Sequence, residues 1–123
     1  MNQKIVVHTR EASYQDHEAV VEHDETFEIQ TISTQPADAA EVESLFDGEK
    51  IPKDVIFVWV ETREWEEPNI ADQHEPASVS DVIEWQGEFW ELKGKRTFVN
   101  VLPHHKNHAV RVNKDDLEGL PDG

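Results

Sequence analysis

The stretch that most constrains this chain is Val82–Leu92, where two short alternating runs flank the dipeptide Gln86-Gly87. That pair can supply the positive φ a tight two-residue turn needs, so Val82–Trp85 and Glu88–Leu92 are expected to pair as an antiparallel β-hairpin. Successive strand residues point to opposite faces, and the turn sets the register. Ile83, Trp85, Trp90 and Leu92 then share one face, and Val82, Glu84, Phe89 and Glu91 the other. The first face carries the larger apolar groups and is expected to be the core. Arg96–Leu102 and Ala109–Val112 read as further strands of the same sheet.

Going back to the N-terminus, Lys4–Thr9 is a short β-branched run, whereas Arg10–His17 shows no clean period and reads as a loop. Alternation returns from Ala19 to Thr34, with Val21, Phe27 and Ile29 among Glu and Thr residues. His23-Asp24-Glu25 reads as a turn within it, making a second, bent hairpin. Pro36–Phe46 reads as a short helix, with Thr34 as N-cap, Val42, Leu45 and Phe46 at helical spacing, and Gly48 as the stop. Asp54–Glu61 is the most apolar run. Its Val, Ile, Phe and Trp content and short length favour a central strand buried on both faces.

Residues 62–78 follow with Glu64, Glu66, Glu67, Asp72, Glu75, Pro68 and Pro76, and with neither period. A structureless loop of that length is uncommon in a small domain and tends to be functional. Trp65 and Ile70 within it either pin the loop to the body or are buried when a partner arrives. The partner reading makes Trp65, Glu66, Glu67, Ile70 and Asp72 a contact to a partner or a channel. The acidic tail 115–123 is expected to be flexible or to order on contact.

With 123 residues and 14.2 kDa, the chain is expected to form a single domain, 1–123. The expected fold is mainly β: a small antiparallel β-barrel or β-sandwich with one short helix and a long acidic loop. Cysteine is absent, which excludes a disulfide framework and a cysteine nucleophile. No apolar run approaches the roughly 18 residues of a membrane span, and the apolar stretch after Met1 is too short for a signal peptide. These features lead us to expect a soluble protein made in the cytoplasm.

Charge is uneven as well as high. Asp and Glu number 27 against 11 Lys and Arg, a formal net charge of −16, which disfavours a free-standing nucleic-acid binder. From Lys93 to Lys114, however, there is no acidic residue, while Lys93, Lys95, Arg96, Lys106, Arg111 and Lys114 are basic. The plain reading is a solvated face of two strands. The functional one is a subunit interface through Lys93, Lys95, Arg96, Lys106 and Arg111 that meets the acidic body of an identical neighbour.

Catalytic signatures are missing: there is no phosphate-cradling Gly loop, nucleophile elbow, zinc-protease helix or acidic Ca²⁺ loop. His104, His105 and His108 are the best metal candidate, but Pro103 and Asn107 already make the segment a strand connection. No enzyme activity, no cofactor and no metal are expected.

The order Ile32–Lys50, then Val55–Val60, a loop, Ser80–Leu92 and finally His108–Val112 resembles the small head-completion or stopper proteins of tailed bacteriophages. The resemblance rests on element order and on an Asp-apolar-apolar, short Gly turn and aromatic return strand after a long loop. The chain departs from that pattern in its acidity and in its N-terminal hairpin-like region. The resemblance implies a virion protein of the phage neck, forming a six- or twelve-fold ring between portal or adaptor and tail proteins. DNA would be only passing cargo in the lumen, where carboxylates let it slide. The rival reading is an acidic DNA-mimic or inhibitor that binds a basic host protein.

Overall fold

The computed structural model describes residues 3–46, 52, 54–72, 78–99 and 101–121, apart from the side chain of Gln3. Its strands are β1 (Gln3–Gln15), β2 (Glu18–Thr31), β3 (Ser33–Pro36), β4 (Val55–Glu61), β5 (Val82–Trp85), β6 (Glu88–Phe98) and β7 (His104–Val112), with one helix, α1 (Ala39–Leu45). They form one antiparallel sheet in the order β2-β1-β5-β6-β7-β4-β3. The fold is mainly β with one short helix. The end strands β2 and β3 share no ladder but follow one another in sequence through Ile32, whose N–H donates to Trp59 O at 2.7 Å. The sheet therefore curls over on itself, sandwich-like, without closing into a hydrogen-bonded barrel.

One interior results. Ile5 and Val7 of β1, Ile29 of β2 and Ile83 of β5 meet Trp90 and Leu92 of β6, Ile56, Val58 and Val60 of β4 and Ala109 of β7. Each buried aliphatic side chain contributes about 1.5–3 kcal/mol relative to exposure. The β5–β6 hairpin has the expected register. Ile83 pairs with Trp90, Gln86 and Gly87 both have positive φ (54° and 75°), and Trp85 packs on the core beside Trp90. β4 is buried on both faces as expected, because α1 covers its outer side: Val42 and Phe46 pack on Val55.

Two expectations are corrected. The first concerns the N-terminal region, where Arg10–His17 is not a loop: β1 and β2 form one long hairpin, turning at Asp16-His17. The break at His23-Asp24-Glu25 is a β-bulge, in which Thr9 Oγ1 donates to Asp24 (3.2 Å) and accepts the Glu25 N–H (3.0 Å). The distal arm is solvated on both faces, so it carries no hydrophobic alternation that could mark it as strand. The second is the helix cap. Asp38, not Thr34, caps α1 by accepting the Glu41 N–H at 2.8 Å, while Thr34 lies buried in β3 and donates to Thr31. Gly48 lies outside the described residues. The tail through residue 121 lies against the outer face of β1: Arg10 Nη1 donates to Glu118 O at 3.1 Å, and Gly119 packs on Val21 and Glu22.

Candidate functional site: a basic aromatic groove

A β-bulge decides what β6 offers to solvent. Up to Leu92, which pairs with Ala109, its even-numbered residues face the core. Gly94 then pairs with His108, leaving Lys93 as the extra residue. One added residue reverses the facing of all that follow. Arg96 and Phe98 are thereby turned outward beside Lys106 and His104, their partners on β7.

The outer faces of β4, β7 and distal β6, walled by α1, form a groove of about 480 Å³. Phe57 and Trp59, on the outer side of β4, make its floor. Lys106 lies across both, with Nζ 3.8 Å from the Phe57 ring centroid and 4.9 Å from that of Trp59. Phe98 stacks on Trp59 (6.0 Å) and on His104 (4.8 Å), which also contact each other at 6.2 Å, and the Arg96 guanidinium lies 5.0 Å over Phe98. Cations over aromatic faces are attracted by the ring quadrupole, by about 0.5–1 kcal/mol when exposed. The α1 wall supplies Ala40, Glu41, Ser44 and Leu45, and Glu41 reaches Lys106 at 3.4 Å. His108 closes one end, edge-on to Phe46 at 5.8 Å. Burial, reinforced by Lys106, holds its pKa below the usual imidazole range, so it is neutral at pH 7. The groove can receive an aromatic or aliphatic group together with carboxylates.

Of the five basic residues expected at an interface, Arg96 and Lys106 face this groove; Lys95 borders it, but pairs with the inward-facing Asn107 and so directs its side chain to the other face of β6, toward His105. Lys93 instead pairs with Glu91 (2.9 Å), and Arg111 with Asp54 (3.0 Å). Glu91 also accepts from the buried Arg10 at 3.0 Å. Burial would raise the pKa of Glu91, but Lys93 and Arg10 together hold it below the usual carboxylate range. The three histidines do not converge. His105 points inward, while His104 and His108 lie on the outer face, and no group of three or more metal-ligating side chains occurs among the described residues.

The reading of Trp65 and Ile70 as partner contacts is also corrected. Trp65 is 4% exposed inside the core cluster, and Ile70 packs against that cluster. Their loop is clasped from within. Asp81 accepts the Asn69 backbone N–H at 2.9 Å, Ser80 Oγ that of Ala71 at 2.8 Å, and His105 Nε2 meets Trp65 O at 2.6 Å. Burial pushes the Asp81 carboxyl up to about 6 and holds the His105 pKa below its ordinary value. Glu66, Glu67 and Asp72 remain on the outside.

The aromatic half of the groove could not be read from alternation, since strict alternation along β6 would send Phe98 inward. Gly94 is the available signal, because an isolated Gly within a strand marks a bulge or a close approach. Here it marks both: a Cβ on Gly94 would lie 2.0 Å from His108 Cε1. Compared with protein-family models, curated proteins and solved structures, the chain matches none.

Proposed function

We propose that this chain is a structural subunit of a tailed-phage neck, forming a ring between portal and tail that completes the head and retains or passes DNA. The observation that carries the reading is the gathering of Arg96 and Lys106 into one aromatic groove, with Lys95 at its border, on a body whose net charge is −16. Two different, complementary patches on one subunit make a head-to-tail contact, and such contacts close into rings when the rotation allows. The remaining carboxylates repel phosphate, so a lumen lined by them lets DNA slide. The subunit's work in this reading is mechanical rather than catalytic.

The test is a charge reversal in a phage that encodes the chain. Mass spectrometry of purified particles should find the protein. Lys95→Glu with Arg96→Glu should change stability by about 0.5 kcal/mol or less, as exposed charges do, yet abolish incorporation and leave heads that lose DNA. Absence of the wild-type protein from particles would overturn the neck assignment. Full infectivity of the double reversal would overturn the groove as interface. Capture of a basic host enzyme by a monomeric protein would favour the inhibitor reading instead.

A further inference from the structure

We infer that the groove is filled by the tip of the β1–β2 hairpin of a second copy of this chain. The inference rests on the ring reading and names its contact. Three observations carry it. Charge in the chain falls into opposite blocks: from Glu11 to Glu49 there is no Lys or Arg, and from Lys93 to Lys114 no Asp or Glu. The distal arm of the hairpin, from Glu11 on, belongs to the first block and the groove's cations to the second. Among the described residues Lys95 and Arg96 have no carboxylate partner, and the only acidic residue lining the groove is Glu41.

The arm is also built to reach outward. β5 borders β1 only at Val6–His8, and the distal segment Ser13–Ala19 is exposed throughout, with Tyr14 56% exposed. From Arg10 to Gln15 it can extend about 16 Å, at roughly 3.3 Å per residue. The arm cannot fill its own groove, because β2 approaches β4 at its Ile32 end, opposite the tip.

The third observation is the tip itself. Asp16 and His17 both hold positive φ (51° and 68°), where glycine would be less strained. A residue other than glycine kept at such a φ on a solvated turn marks a side chain with a use, and here that side chain is the Asp16 carboxylate. In the contact, the Tyr14 ring lies against the Trp59–Phe98 strip, and Asp16 at the turn faces Arg96. At about 480 Å³ the groove falls in the range of small-ligand sites, roughly 300–1,000 Å³, and has room for an aromatic side chain.

The chain has no cysteine, so disulfide trapping reads the contact directly. Gln15→Cys and Ser44→Cys proteins, one marking the tip and the other the groove wall, are mixed in equal amounts near 0.15 M salt under mild oxidation. A heterodisulfide should form in excess of either homodisulfide. Arg96→Glu on the Ser44→Cys partner, or Tyr14→Ala on the other, should lower its yield roughly tenfold, and Asp16→Lys should restore it against Arg96→Glu. No excess of heterodisulfide, or an excess untouched by these changes, would overturn the contact. Native mass spectrometry of the trapped product separates the two readings. A closed ring supports both, a reciprocal pair of two chains supports the contact and sinks the ring, and loss of the heterodisulfide in a protein present in particles sinks the contact alone.

Discussion

Among single residues, Asp81 carries the clearest consequence. Its carboxyl is fully buried and titrates near 6, against an ordinary 3.8, because burial disfavours the charged form. A group whose folded pKa is raised stabilises the native state while protonated. That contribution is complete below about pH 4 and is lost as pH rises through 6. His105 runs the other way. Its lowered pKa makes the folded state reject a proton that the unfolded chain accepts, so stability falls as pH drops below the ordinary 6.5. Asp81→Asn keeps an acceptor for the Asn69 N–H and removes the ionisation. Its stability relative to wild type should therefore be higher at pH 7.5 than at pH 4.5, as urea unfolding at the two values will show; an equal difference at both would refute the assignment. Gly94 gives a second prediction. Gly94→Ala drives a Cβ into the His108 ring and should cost about 1–3 kcal/mol. His108→Ala should relieve most of that cost, and a double-mutant cycle with no coupling would count against the packing.

At the scale of elements, the β5–β6 hairpin is the anchor and the β1–β2 hairpin the projection. Trp90 is 7% exposed, its Nε1 donates to Trp85 O at 3.2 Å, and it packs among Ile83 and Leu92. Trp90→Ala should cost roughly 3–5 kcal/mol in equilibrium unfolding. A cost under 1 kcal/mol would mean that the indole is not part of the core. The projecting arm predicts the opposite kind of result. His17→Gly relieves a positive φ and should stabilise by about 1 kcal/mol or less. It should leave tip–groove trapping intact, since Tyr14 and Asp16 are retained. A destabilised His17→Gly protein would show that His17 has contacts worth more than its strain.

Taking the molecule as a whole, two ranges of electrostatics compete. A net charge of −16 repels every copy from every other, over a Debye length of about 30 Å at 0.01 M salt. The groove's attraction for carboxylates acts over a few ångströms. At 0.15 M the screening length is about 8 Å, which removes most of the long-range repulsion and spares the contact; at 1 M it is about 3 Å, which weakens the contact as well. Self-association measured by sedimentation should therefore peak at intermediate ionic strength. A monotonic rise with salt would point to an apolar interface instead, for which the exposed Val99, Val101 and Leu102 would be the place to look.

The sequence alone determined what depends on neighbours along the chain. Gln86-Gly87 between alternating runs specified the hairpin and its register. The Val55–Val60 run specified a strand covered on both sides, and the absence of carboxylates from Leu92 to Lys114 marked Lys95, Arg96 and Lys106 as part of one basic segment. Tertiary structure decided what depends on partners distant in sequence. Whether Trp65 faces solvent or core turns on His105 and Asp81, reached only when β7 and β5 are in place. Whether Arg10–Gln15 is strand or loop turns on β2, since an arm with two solvated faces has no periodicity of its own. The facing of Arg96 and Phe98 turns on one extra residue at Lys93, and a bulge is a property of two paired strands, absent from either strand by itself.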